Sequence, residues 1–334
     1  MPVRRWIRST LRRWVPGEPV VVVTYVGYVA LPAGGPEARV RGRVLRKTVV
    51  ALAGPVRGWR TFMETVAWFT TSEVPGVPVE AISDVGSAHA VSDEEGYIEA
   101  RVRVSPPTES RVGVKLTARR APDTVAAAYV VPADGRPLVV SDIDDTVLIT
   151  GVKERLKMVG RTLIGDPTDR EVVDGMPDLL RALAGRDSPV FFVSTSPWNL
   201  YQRLADTLAY HDVPPGPMLL TDWGFGSKQM LVRPALEYKV ETISGVLDDF
   251  PGRHVVLVGD SGQHDLAAYL AIAEAYPGRV RAVLIREVPG LVPKDHGPDF
   301  ERARAAGVTL CVGEPSELMA AAAGADLVRA GLTR

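Results

Sequence analysis

The 334-residue chain contains a single cysteine, Cys311, set in the apolar run VTLCV. One thiol excludes an intrachain disulfide and a cysteine-built zinc site, and it fits an inert core residue in a reducing, cytoplasmic setting. No apolar run reaches the ~18 residues expected of a membrane span. Neither sign of charge is in excess: 39 Lys and Arg stand against 40 Asp and Glu, which argues against a nucleic-acid partner. Internal repeats and low-complexity tracts are lacking, apart from Ala320 to Ala323, which fits a helix. Arginines ahead of the apolar run Val20 to Ala30 loosely imitate a secretory signal. Pro16, Gly17, Glu18 and Pro19 interrupt that imitation, and the run itself alternates like a strand.

The length accommodates about two domains. From Val20 to roughly Arg120, short runs rich in Val, Thr and aromatics (VVVTYVGYVAL, ARVRGRVL, TFMETVAWFTT, VPVEAIS, EARVRVS) are separated by Gly, Pro and Asp clusters. Val102 and Val104 alternate with Arg101, Arg103 and Ser105, as on a strand with one wet face. The stretch predicts a small all-β sandwich over residues 16–120. It holds no cluster of His, Cys or convergent carboxylates, so a structural or recognition role is expected. Residues 121–136, with Pro122, Pro132 and the Asp134-Gly135 turn, predict a linker.

From residue 137 to 334 the pattern alternates strands with helices. Helices are predicted at Met176 to Ala184, Asn199 to Tyr210, Val240 to Phe250, Asp265 to Tyr276 and Ser316 to Ala330. Strands are predicted at Leu138 to Val140, Val190 to Val193, Met218 to Leu220, His254 to Gly259, Val280 to Ile285 and Val308 to Val312. Such alternation implies an α/β fold, a parallel sheet with helices on both faces. Ligands bind such sheets beyond the carboxyl ends of the strands, where Asp142, Ser194 and Asp260 fall.

The stretch LVVSDIDDTVLITG, Leu138 to Gly151, carries the strongest chemical signal. Asp142, Asp144 and Asp145 follow a strand directly, and crowded carboxylates cannot all be buried unpaired. A bound cation resolves the crowding, whereas a turn or helix cap is the competing explanation. Mg²⁺ takes oxygen ligands and keeps several waters, so two or three carboxylates suffice. The set suits phosphoryl transfer, with Asp142 as nucleophile and Asp144 as general acid and base. Ser194 offers a hydroxyl and an amide to phosphate oxygens. A lysine would neutralise charge growing on the phosphoryl group, and Asp260 would complete the metal ligands.

Four segments, SDIDDTV, VSTSPWNLY, the lysine of EYKVETISGVLDDFP and VGDSGQHDLAAY, resemble the four motifs of the haloacid dehalogenase superfamily. More narrowly, they resemble the phosphatidate phosphatase catalytic domain of the actin-patch-protein family, related to the lipins through DIDDT. GYVAL, GRVL and SDEEGY also look like the domain that precedes this catalytic domain in bacterial relatives. The resemblance implies a haloacid-dehalogenase-like fold, Mg²⁺ as cofactor and a lipid phosphate such as phosphatidate as substrate. By position it implies Asp142 as nucleophile and metal ligand, and Asp144 as general acid and base with its carbonyl on Mg²⁺. Ser194 and the adjacent Thr195 fall on the phosphate-binding motif, Lys239 on the third-motif lysine, and Asp260 with Asp265 on the metal. The generic superfamily spacing would place the second acid at His264 instead. Asp265-Leu-Ala-Ala-Tyr269 departs from the usual Asp-Pro-Glu-x-Tyr, leaving both end residues.

Competing explanations exist for single residues. Ser196 with Pro197 reads as a helix N-cap. Lys228, in GFGSKQ, rivals Lys239. Trp198 and Trp223 either line the site mouth or pack as buried aromatics. The stretches Val147–Asp174 and Trp223–Tyr238 are too short for a large cap, so an open site is expected. Two other functions compete with lipid-phosphate hydrolysis: the same chemistry on a soluble phosphoester, and partner binding with an incidental phosphatase site. Finally, Val3, Ile7, Leu11 and Trp14 of residues 1–15 would share one helical face, with arginines opposite. That composition suits a peripheral contact with an anionic membrane.

Overall fold

The computed structural model describes residues 19–46, 73–150, 170–221, 234–262, 264–291 and 295–328. The expected strand TFMETVAWFTT, the basic segment 1–15, Trp223 and Lys228 lie outside them.

The first sheet contains β1 (Val20–Ala30), β2 (Glu37–Arg46), β3 (Pro78–Ile82), β4 (Ser87–Val91), β5 (Tyr97–Arg103), β6 (Arg111–Ala118) and β7 (Thr124–Val130). Their order is β4-β3-β6-β7-β1-β2-β5, with β1 and β7 parallel and the other pairs antiparallel. It is one continuous sheet rather than two. It curls until the edge strands β4 and β5 meet, so its halves enclose a core as sandwich faces do. Val, Ala, Ile and Leu fill that core, from alternate positions such as Ala38, Val40, Ile98, Ala100, Val102, Val114 and Leu116. The turn DEEGY is tied by Asp93, whose carboxylate accepts the amides of Glu95 (3.0 Å) and Tyr97 (2.8 Å).

β7 corrects the expected linker over 121–136. TVAAAYV lies inside the sheet, between β6 and β1, and the prolines at 122 and 132 flank the strand rather than dissolve it. Its alanines have weak strand propensity; the cross-strand partners supply what propensity does not.

The second sheet contains β8 (Leu138–Ser141), β9 (Val190–Pro197), β10 (Met218–Thr221), β11 (Val255–Asp260), β12 (Val280–Arg286) and β13 (Thr309–Gly313). All its pairs are parallel, in the order β10-β9-β8-β11-β12-β13. Six helices accompany it among the described residues: α1 (Met176–Ala184), α2 (Tyr201–Tyr210), α3 (Ala235–Asp249), α4 (Asp265–Ala275), α5 (Gly297–Ala305) and α6 (Pro315–Gly324). Alternate strand residues serve opposite faces. Val139, Phe192, Val256, Val258 and Leu284 pack with α1, α2 and α6. Val140, Phe191, Leu257, Val283 and Ile285 pack with α3, α4 and α5. Burial on both faces explains the uninterrupted apolar runs of β8 and β11.

Strand order reverses direction at β8, which lies between β9 and β11, the place where sheets of this kind bind ligands beyond the carboxyl ends of their strands. Cys311 lies on the edge strand β13, half-buried rather than in the core. Among the described residues no helix is long and apolar enough to cross a membrane.

Candidate active site

β8 ends at Ser141, and Asp142 follows with its amide on the Val258 carbonyl of β11 at 2.9 Å. That bond splices the first residue of the site onto the neighbouring strand. Asp142, Lys239, Asp260 and Asp265 are all buried. Lys239 Nζ donates to Asp142 Oδ1 at 2.9 Å and to Asp265 Oδ1. Thr146 Oγ1 donates to Asp142 Oδ2 at 3.3 Å. Asp260 closes β11, and its Oδ1 accepts the Gly262 amide at 2.7 Å. Asp265 starts α4, and its Oδ2 accepts the Asp260 amide at 3.1 Å. Gly259 permits this approach, because a Cβ there would sit 2.5 Å from Asp265 Oδ2.

Asp142, Asp260 and Asp265 bring carboxylate oxygens within 4.8 Å of one another. Three carboxylates face one ammonium, and two of them, Asp142 and Asp260, titrate above the usual carboxylate range. Burial pushes Asp142 well above the usual carboxylate range against the pull of Lys239, with Asp265, Asp260 and Asp144 adding to the rise. Burial and the Asp265 charge push Asp260 up to about 7. Burial opposes the Lys239 charge, but Asp142 and Asp265 outweigh it and hold the ammonium above its ordinary range. Asp260 Oδ2 is buried with no hydrogen-bond partner among the described residues. An orphaned oxygen within an all-oxygen donor set fits a hard divalent cation such as Mg²⁺.

Asp144 is half-buried and stands apart from the cluster. Its Oδ2 accepts Ser194 Oγ at 3.0 Å and Ser196 Oγ at 2.8 Å. Ser194 also accepts the Ser196 amide at 3.0 Å. Ser196 therefore does not cap the following helix, as expected from the sequence; Pro197 occupies the cap position of the turn Trp198–Leu200 without a side-chain cap bond. Ser194 and Ser196, two positions apart on an extended strand, share a face, so both reach Asp144. Thr195 lies between them, half-buried, on the opposite face of the strand. Asp265 joins the cluster, whereas His264 is exposed. Trp198 packs among aromatics, its ring stacked 4.6 Å from Tyr25 and 6.1 Å from Tyr201.

Arg286 and Arg170 escaped the sequence reading. Arg286 ends β12, is buried, and donates from Nη1 to the Asp145 carbonyl at 2.7 Å. Asp145 is left-handed, with φ of 59°, and its Oδ1 accepts the Thr150 amide at 2.9 Å. Arg286 thus holds a strained turn directly after Asp144. Its position at a strand's carboxyl end, the criterion that marked Asp142, Ser194 and Asp260, was the available signal. Burial lowers the Arg170 guanidinium below its ordinary range, with the charge of nearby Asp144 opposing the fall; its sequence neighbourhood carries no motif.

The parallel sheet brings Asp142 after β8, Asp260 at the end of β11 and Asp265 at the start of α4 around Lys239 of α3, the arrangement expected from the four sequence motifs. Residues 137–287 match the family described as phosphatidate phosphatase APP1, catalytic domain. The chain is 30% identical over 240 residues to phosphatidate phosphatase APP1 of Saccharomyces cerevisiae, an alignment covering 67% of this chain and 40% of the yeast protein. An uncharacterized protein of Schizosaccharomyces pombe is 31% identical over 150 residues, covering 45% of this chain and 25% of that protein. The chain thus spans well under half the length of these relatives. A HAD family hydrolase from Deinococcus radiodurans, solved with phosphate and sodium, aligns at 17% identity with a TM-score of 0.36, covering 58% of this chain and 98% of that one.

Proposed function

We propose that this protein is a Mg²⁺-dependent phosphatase that hydrolyses a phosphomonoester, a lipid phosphate such as phosphatidate, through an aspartyl-phosphate on Asp142. One observation carries the reading. Two carboxylates two residues apart have different partners: Asp142 is held by a buried lysine, Asp144 by two serine hydroxyls. Environments that differ in this way suit one carboxylate to attack and the other to exchange protons.

Asp142 attacks phosphorus through a carboxylate oxygen, and the ester P–O bond breaks. Protonated Asp144 gives its proton to the leaving alkoxide. The resulting Asp144 carboxylate then takes a proton from water, whose oxygen attacks the phosphorus and frees Asp142 and phosphate. Lys239 holds Asp142 in place and offsets charge on the phosphoryl oxygens. Ser194 orients Asp144 and, with Thr195, is assigned to receive phosphate oxygens. Asp142, Asp260 and Asp265, with the Asp144 carbonyl, would hold Mg²⁺, which when bound offsets the negative charge of the phosphate.

The lipid substrate is supported by the family description that residues 137–287 match and by the name of the yeast relative. A peripheral contact of residues 1–15 with anionic lipid belongs to the same proposal. The test measures phosphate release from phosphatidate in mixed micelles and from a panel of soluble phosphomonoesters, with Mg²⁺ and with EDTA. Turnover that needs Mg²⁺, favours phosphatidate and is lost in Asp142→Asn is expected. Preference for a soluble ester would move the substrate, and no turnover of any ester would leave a partner-binding protein.

A further inference from the structure

The curled β sheet holds no catalytic cluster, yet it grips the helix that carries Lys239. Asp249, the last residue of α3, is buried and accepts three donors from that sheet: Tyr28 OH at 2.6 Å, Arg39 Nη1 at 2.9 Å and Arg101 Nη1 at 2.7 Å. The Leu31 amide reaches the Asp249 carbonyl at 2.9 Å. A carboxylate at a helix C-terminus opposes the helix dipole, and a buried one needs partners. Nothing in the helix itself favours Asp249; the docking of the β sheet does. Burial raises the Tyr28 hydroxyl well above its ordinary range against the pull of Arg39, with Asp249 adding to the rise, so it stays a donor.

Contact continues along the helix. Gly245 leaves bare backbone beneath Arg39, whose Nη1 would lie 3.9 Å from a Cβ there. The Arg41 charge acts on Tyr238, the residue before Lys239. A bulge in β1 between Tyr25 and Tyr28 changes which side chains face outward. Both tyrosines therefore face the parallel-sheet domain, one in each of its cores. A matching grip exists beside β9, where buried Arg43 donates to Asn199, three residues beyond Ser196, and lies 4.5 Å from the Tyr97 ring.

We propose that Asp249 is a positioning residue: anchored by Tyr28, Arg39 and Arg101, it fixes α3 along its axis and thereby sets Lys239 Nζ between Asp142 and Asp265. Ile243, Val246 and Leu247 hold the helix against the sheet, but apolar contacts are non-directional and resist sliding weakly. Directional ionic bonds at the helix end supply the missing restraint. The helix is continuous from Ala235 to Asp249, so a shift at one end is delivered to the other. The proposal rests on the phosphatase reading above.

The experiment uses the full chain with a soluble phosphomonoester at saturating Mg²⁺, comparing wild type, Asp249→Asn and Arg101→Gln, with folding checked by circular dichroism. Misplacing a reacting group by ~1 Å costs on the order of 10²-fold, so a partial shift in Asp249→Asn should lower kcat about tenfold with KM little changed. Arg101→Gln, losing one donor of three, should lower kcat less, in the same direction. A merely structural role would lower Tm and leave kcat per folded molecule unchanged. Wild-type kcat in folded Asp249→Asn overturns the proposal; if that variant does not fold, wild-type kcat in Arg101→Gln does. Should the wild type itself turn over no phosphoester, the phosphatase reading falls, and hydrogen exchange over residues 236–242 decides the coupling. Faster exchange there in Asp249→Asn supports the coupling, and unchanged exchange overturns it.

Discussion

The two sheets use buried polar groups in opposite ways. Inside the curled sheet the core is aliphatic throughout, and its buried Arg43 turns outward to Asn199 of the other domain. The parallel sheet is as apolar along its strands, yet Ser141, Asp142, Asp145, Thr146, Ser194, Asp260 and Arg286 lie buried at their carboxyl ends. Burying such groups is costly unless each is paired. One sheet therefore keeps its interior for packing and turns its polar groups outward to grip the other domain, and the other concentrates its electrostatic cost at one edge, where it can do chemistry.

The sharpest way to break this contrast is Asp142→Asn. It preserves shape and removes the attacking charge, so turnover should fall to background while circular dichroism is unchanged. Next comes Asp144→Asn, where proton transfer fails and turnover drops by about 10²–10⁴-fold. Metal affinity, measured on the same sample by titration calorimetry, should change little, because the carbonyl of residue 144 survives. A counterpart in the other sheet is Leu116→Ala, buried in the curled core. It should cost about 2–5 kcal/mol in denaturant unfolding and leave kcat per folded molecule unchanged. Arg286→Gln lies between the two regimes: losing the bond to the Asp145 carbonyl should cost about 1–3 kcal/mol, read as a lower Tm.

The smallest effect is a pH dependence. Asp260, pushed up to about 7, binds its proton more tightly when folded than when unfolded. In EDTA its contribution to stability is present below about pH 4 and is lost as pH rises through the folded value. Tm in EDTA should therefore carry a downward component over that window. The gain in Tm on adding Mg²⁺ should grow with pH, since cation and proton compete for the carboxylates.

Legibility followed the same division. Strand Val20–Ala30 and helix Met176–Ala184 were readable from periodicity to the residue, because one face of each is continuous and apolar. β4 (SAHAV), β6 (RVGVKLTA) and β7 (TVAAAYV) were not read as strands, because small or charged residues dilute their alternation and the pairing partners, not propensity, hold them. Helix α5 was missed because GPDFERARA buries little beyond Ala303. α3 begins at Ala235, five residues before the expected Val240, so Lys239 lies within the helix. The aspartates were legible because their clustering is local. Convergence of Lys239 on Asp142, 97 residues away, follows from no local pattern and came only through the family resemblance. The bond of Ser196 to Asp144 has no local signature, since its partner is 52 residues away, and Arg286 had only its place at a strand's carboxyl end to mark it.

The most direct test is to quench a turnover of ³²P-labelled phosphomonoester in acid and map the label. The account predicts a hydroxylamine-labile label on the peptide containing Asp142, absent in Asp142→Asn. Turnover with the label on any other residue, or turnover retained by Asp142→Asn, would contradict it.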